Sequence, residues 1–388
     1  MGTGRRGHVV LAAAAALVAL ALLALAAEAV VRGRERHRAT LGGTMPLLFY
    51  RHGTLGHALV RGFDYAGRIH IDREGFRGPD VALRAAPGVL RIMAVGSSTT
   101  FDPGVSGDAA AWPARLQFWL TRMAPACPVE VINAGVPGYV VVTDLVRLVT
   151  DLRRYRPEAI VLYEGHNDLF GALRRGAEPE EPWSATPGEV PAVTPWGYWL
   201  SRHSLLYGKL VARLKVLRFR ASGRRALAAA SGRGDDDLLA SSAQQFEEDV
   251  TMFLAVARAL GARVAVPQLV QVSGAGSVDE PDAALRQVWS YTVPFVPPAA
   301  VLRGYVRYNL ALEAAARRSG ATWIPTEAFG LAGPQWYAPG VPIHFNDRGA
   351  DRMAQRLADA LLASGFLARR ARPGASGGGG CAGRGAVR

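Results

Sequence analysis

Leu90-Arg-Ile-Met-Ala-Val-Gly96-Ser97-Ser98-Thr-Thr-Phe101 is an apolar run that stops at a Gly-Ser-Ser turn. It reads as a buried strand that delivers a serine hydroxyl to the edge of a sheet, where a base can reach it. The same pattern recurs on either side. Leu90–Val95, Val129–Ile132, Ala159–Tyr163, Arg263–Pro267 and Thr322–Ile324 are short apolar runs ending at turn formers. Helix-like stretches lie near 110–123, 143–155, 243–260, 301–318 and 347–363. Such alternation predicts an α/β fold with a parallel sheet covered on both faces. In open sheets of this class the ligand sits beyond the carboxyl ends of the strands.

Four segments near those ends carry groups suited to acyl transfer. The first is the Ser98 turn, which is not a Gly-x-Ser-x-Gly elbow because Thr100 fills the last position. The second is Val131-Ile-Asn133-Ala-Gly135-Val-Pro137-Gly138-Tyr139, whose glycines let a backbone N–H approach a ligand and serve as an oxyanion donor. The third, Leu162-Tyr-Glu164-Gly165-His166-Asn167-Asp168, offers the Asn167 side-chain amide as a second fixed donor. His166 reads as a loop residue supporting Asn167. The fourth is Ile343-His344-Phe345-Asn346-Asp347, where His344 precedes an Asn or Asp helix cap and can project back towards Ser98 as the base.

Ser98, Gly138, Asn167 and His344, in that order, resemble the four signature blocks of the SGNH/GDSL hydrolases, and the resemblance covers about 89–368. It implies a three-layer α/β/α sandwich of flavodoxin-like type with a mostly parallel five-stranded sheet. It also implies ester hydrolysis or acyl transfer without any cofactor, in a periplasmic or secreted setting. Asp72-Arg-Glu-Gly-Phe-Arg-Gly78 is similar to a segment that precedes the domain in anchored bacterial members. Two positions depart from the pattern. Ser97 stands where the family often has Asp, and Val341 stands where it usually has the Asp that orients the histidine. Glu327, Asp347 or a backbone carbonyl is then left to orient His344. The same four residues serve an esterase or an O-acyltransferase, and the missing acid keeps a non-catalytic binding module in view.

Val9 to Ala27 is a 19-residue run without a polar side chain, enough to span a bilayer core of about 30 Å as a helix. Ala24-Leu-Ala26 and Ala27-Glu-Ala29 resemble signal cleavage sites, but the length of the run favours an uncleaved anchor. The flank after it carries more Arg than the flank before it, against the usual bias for an exported body. The resemblance nevertheless places the body outside the membrane. The formal charge of +13 sits largely outside the body, with six Arg against two Glu in 1–38 and five Arg with no acid in 369–388. A nucleic-acid face carries its surplus on one folded surface, so no such partner is expected. The expected partners are the membrane, through the N-terminal helix, and a small-molecule, lipid or glycan acyl ester as substrate.

The chain divides into an anchor with basic flanks (1–38), an extended leader (39–88), the hydrolase domain (89–368) and a Gly/Arg-rich, disordered tail (369–388). In the leader, 67–78 alternates like a hairpin, and His52, His57 and His70 are spaced as hydrogen-bonded or solvated side chains, not as a metal site. An insertion at about 170–242 breaks the strand–helix alternation and reads as a lid. Within it, Leu206, Leu210, Leu214 and Leu217 repeat at helical spacing among Lys209, Arg213, Lys215, Arg218 and Arg220. That helix is either a lid with a solvated basic face, which is favoured, or one resting on an anionic membrane surface. The two cysteines suggest no disulfide framework, with Cys127 a small buried hydrophobe and Cys381 a tail residue.

Overall fold

The computed structural model describes residues 3–36, 48–175, 195–211, 213–214, 235–270, 298–339 and 341–368. The tail at 369–388, the parts of the leader and insertion at 39–47, 176–194 and 215–234, and Cys381 lie outside the described residues.

Helix α1 (Thr3–Arg36) contains a stretch, Val10–Arg34, long and apolar enough to cross a membrane, with its apolar side chains exposed. The leader follows as two small antiparallel pairs, β1 (Phe49–His52) with β2 (Gly56–Leu59), and β3 (Asp64–Tyr65) with β4 (Ile69–His70). The expected hairpin over 67–78 is closed differently: Ile69 and His70 pair backwards with β3, and an Ile71–Arg77 bridge closes the rest. Ile69 and Ile71 are buried, as their alternation requires.

The body continues as β5 (Leu90–Gly96), α2 (Ser98–Phe101), α3 (Trp112–Met123), β6 (Val129–Asn133), α4 (Val141–Thr150), β7 (Ala159–Tyr163) and α5 (His166–Arg175). Then come α6 (Pro195–His203), α7 (Asp235–Ala259), β8 (Arg263–Pro267), α8 (Pro298–Ser319), β9 (Thr322–Ile324), β10 (Tyr337–Ala338), β11 (Val341–Phe345) and α9 (Asp347–Ala363). Five strands form one parallel sheet in the order β6-β5-β7-β8-β9. The first strand thus lies between the second and third, which is the flavodoxin-like order, with helices on both faces. Strands β5 and β7 are buried along their whole length, which is why they read as continuous apolar runs and not as alternating ones. Helices α7 and α8 pack against each other, as do α3 and α9, and the core between helices and sheet runs from Leu90 to Leu367. Cys127 is buried, as read, but it is disulfide-bonded, which corrects the reading that the cysteines form no disulfide.

The leader is tied to the sheet edge by Arg77, whose side chain is buried. Its guanidinium donates to the carbonyls of Phe101 and Asp102 at 2.7 Å each and to the Asp108 carboxylate at 2.7 Å. These carbonyls end the four-residue helix α2, which cannot satisfy them internally. Replacing Arg77 by Leu leaves the buried Asp102 carbonyl without a partner, while Phe101 O keeps the Asn133 amide and Asp108 keeps the His70 N–H, and is expected to lower stability by about 2–3 kcal/mol. Thermal unfolding of the detergent-solubilised chain checks it.

Candidate active site

Three of the expected groups follow adjacent strands. Ser98 opens α2 after β5, Gly138 lies in the loop after β6, and Asn167 is the second residue of α5 after β7. Because β5 lies between β6 and β7, all three reach the same carboxyl edge, at the switch point of the sheet. His344 arrives from β11, immediately before α9. The cap of α9 is Asn346, whose side chain accepts from the Gly349 N–H at 3.0 Å. The result is a direct contact: His344 Nε2 lies 2.9 Å from Ser98 Oγ.

Gly104 makes this approach possible. A Cβ there would collide with the Phe345 carbonyl and press on the His344 Cβ, so β11 can close over the serine turn only against a glycine. Nothing in the local pattern around Gly104 announced this role, because the contact spans some 240 residues of chain.

The expected oxyanion donors come from the serine turn and both flanking loops. The N–H groups of Ser98 and Gly138 bond no acceptor among the described residues. The Asn167 amide donates one hydrogen to the Tyr139 carbonyl at 2.8 Å, linking the second and third loops and leaving its other hydrogen for a ligand. Gly138 has φ +90°, a conformation that favours glycine, and the His57 ring covers it. His57 Nε2 bonds the Pro137 carbonyl at 2.8 Å, and the Tyr139 hydroxyl donates to the His57 carbonyl at 2.7 Å. A leader residue read as an ordinary histidine therefore braces the Gly138 loop. His52 accepts from the Leu55 N–H, and no group of His, Cys, Asp and Glu among the described residues could hold a metal.

Neither carboxylate offered as a partner for His344 serves it. Glu327 accepts from the Gln268 amide, and Asp347 accepts from the Ser106 N–H at 2.6 Å. Among the described residues only Ser98 bonds the His344 ring. Desolvation lowers the His344 pKa to about 4, with no opposing charge to raise it. His166, expected in a loop supporting Asn167, is instead the buried first residue of α5, set between the rings of Tyr163 and Tyr305. Desolvation first, and then His344, lower its pKa to about 3. Both imidazoles are neutral at ordinary pH, so either can accept a proton.

Beneath the serine turn lie three buried carboxyl groups. Burial raises Asp144 to about 7 and Asp168 to about 8, and pushes Glu164 well above its usual range with help from its two neighbours. Holding protons avoids packing three negative charges together. Ser97, at the position where Asp is frequent in the resembled pattern, sets its hydroxyl against Glu164.

A parallel α/β/α sandwich with a serine and a neutral histidine in contact at its carboxyl edge defines a class built for acyl chemistry. The model of the GDSL-like lipase/acylhydrolase family matches residues 94–352, and the chain belongs to that family, whose members act on ester bonds. Similar solved structures include TesA, at 16% identity and TM-score 0.40, covering 70% of this chain and 97% of that one. An α/β hydrolase from the metagenome of Lake Arreo, Spain, has 12% identity and TM-score 0.42, covering 70% and 94%. Axe2, an acetylxylan esterase from Geobacillus stearothermophilus, has 14% identity and TM-score 0.38, covering 70% and 92%. No curated protein matches the chain.

Gly104→Ala is expected to leave the chain folded while pushing β11 away from Ser98. A displacement of that kind lowers kcat by about 10²-fold. Kinetics of aryl-ester hydrolysis, with circular dichroism as the folding control, measures the effect.

Proposed function

We propose that this chain is a membrane-anchored serine esterase acting outside the cytoplasm, with Ser98 as nucleophile and His344 as general base. The observation that carries the reading is the 2.9 Å contact between Ser98 Oγ and a His344 kept neutral by burial. Ser98 Oγ bonds the acyl carbon while His344 Nε2 takes the hydroxyl proton, and the carbonyl π electrons move to oxygen. The Ser98 and Gly138 N–H groups and the Asn167 amide hold that oxygen. Collapse breaks the ester C–O bond, and His344 returns its proton to the leaving alcohol. Water then repeats the sequence on the acyl-enzyme, releasing the acid and restoring Ser98. Substrates are acyl esters of cell-envelope glycans or lipids, the class that an anchored body meets.

The absence of a described carboxylate beside His344 leaves the imidazolium without a stabilising partner and makes a non-catalytic binding role the competing reading. Fluorophosphonate labelling and hydrolysis of a short-chain aryl ester by the full chain separate the two. The parent is expected to label and turn over, with Ser98→Ala and His344→Ala each losing about 10³-fold or more, and Asn167→Ala about 10²- to 10³-fold. A parent that neither labels nor turns over overturns the esterase reading.

The pH dependence follows from the same geometry. Protonated His344 cannot accept the serine proton, so kcat/KM is flat above its pKa and falls as pH drops through it. The acidic limb is expected near pH 4, in place of the 6.5 of a free imidazole. A limb at the unperturbed value would mean that His344 is solvated and is not the buried base.

A further inference from the structure

The end of α1 is built into the insertion. Glu28, directly after the apolar run, accepts hydrogen bonds from the Ser204 hydroxyl and from the N–H groups of Leu205 and Leu206 at 2.8–2.9 Å. Residues 205–211 are helical, so the carboxylate caps the start of that helix from outside its own segment. Arg32, paired with Glu28 at 2.7 Å, donates to the His203 carbonyl at 2.8 Å. The ring of His203 stacks on Trp199 with centroids 4.6 Å apart, and Trp199 meets Trp196 edge-on at 6.4 Å. An aromatic ladder thus starts at the point where the apolar helix ends.

This ladder and the helix beyond it present apolar groups to solvent. Trp196 is 76% exposed and Trp199 52%, and on the other side of the cap Leu210 and Leu214 are 55% and 48% exposed. Arg213 is exposed between the two leucines. The nine residues of α6 span about 14 Å at a rise of 1.5 Å per residue. The headgroup layer on each side of a bilayer is about 5–8 Å deep, and it is where tryptophan rings and basic side chains settle. If α1 crosses the bilayer, Glu28 stands at its boundary and both tryptophans lie within about 15 Å of that point. Leu205, next to the cap, packs in one cluster with Phe101 of α2 and with Val136 and Tyr139 of the oxyanion loop. The segment beside the anchor therefore shares a buried cluster with the serine turn and the Gly138 loop.

We propose that α6 and the helical residues 205–211, with 213 and 214, form a membrane-docking surface, with Trp196, Trp199, Leu210 and Leu214 seated in the lipid headgroup layer beside α1. This rests on the anchored reading of α1. Between the two roles open to the basic leucine helix, lid or membrane contact, the cap by Glu28 and the exposed tryptophans select the membrane. The docked surface holds the Ser98 edge close to the bilayer, within reach of esters carried by lipids.

The test uses the full chain in nanodiscs of phosphatidylcholine with a minor share of phosphatidylglycerol. A photo-crosslinking amino acid replaces Trp199, Leu210, Leu17 or Phe118 one at a time, and lipid adducts are counted by mass spectrometry. Leu17 lies inside the apolar helix, and Phe118 is an exposed apolar residue on α3. Positions 199 and 210 are expected to give about tenfold more adduct than 118, as for apolar groups buried at the interface. Glu28→Ala, which removes the cap, should reduce the adduct at 210 several-fold while leaving that at 17 unchanged. Adducts at 17 alone overturn the docking surface and leave the anchor standing. No adduct at 17 overturns the anchor, and the docking surface with it. Equal adducts at 118 and 199 also overturn the proposal, because lipid contact would then not be confined to this surface.

Discussion

The structure depends on how the end of a four-residue helix is satisfied. Helix α2 carries Ser98 at its start and finishes at Asp102, a non-glycine residue at φ +65°. Its last carbonyls face the interior, where an unpaired acceptor is costly. Arg77 meets that demand from the leader, with its guanidinium also lying over the Phe101 ring. Trp112 contributes from the other side, donating its indole N–H to Thr99 O and its backbone N–H to the buried Asp102 carboxyl. Burial raises that carboxyl to about 8, so it accepts here without bringing a full charge into the core. The Ser98 turn is thereby held from two sides, by Arg77 and by Trp112.

The leader and the sheet edge are consequently hard to treat apart. Arg77 secures α2, His57 covers Gly138 and bonds Pro137, and Asn133 bridges to Arg77 at the end of β6. Preorganisation of this sort gives oxyanion donors their value, because dipoles already in place need not reorganise as charge develops. The base is arranged differently. A carboxylate beside the ring would raise the basicity of His344 and stabilise its charged form, whereas among the described residues only desolvation acts on its affinity for protons. On the proposed reading, the site combines well-braced oxyanion donors with a weak base.

Much of this was open to reading in one dimension. The five parallel strands were legible because a strand buried on both faces must be apolar throughout, and their ends were legible because turn formers interrupt such runs. Ser98, Gly138, Asn167 and His344 stood out because each follows one of those interruptions or precedes a helix cap. Arg77 and His57 did not, since a buried arginine and a solvated one look alike in sequence until their partners are known. Gly104 was equally silent, because the clash it avoids is with a strand from the far end of the chain. His166 was misplaced for the same kind of reason: its burial comes from Tyr305, contributed by α8.

By itself the amino-acid sequence determined the layer architecture, the order of the four loop segments and the apolar N-terminal helix, since these follow from local hydrophobic periodicity and turn chemistry. Tertiary structure alone decided which nitrogen meets which oxygen. It brought His344 to Ser98, sent Glu327 and Asp347 to other partners, and set Glu28 at the head of a helix more than 170 residues away. Hydrogen bonds act over about 3 Å and are indifferent to separation along the chain, so their partners are known only when the whole chain has closed.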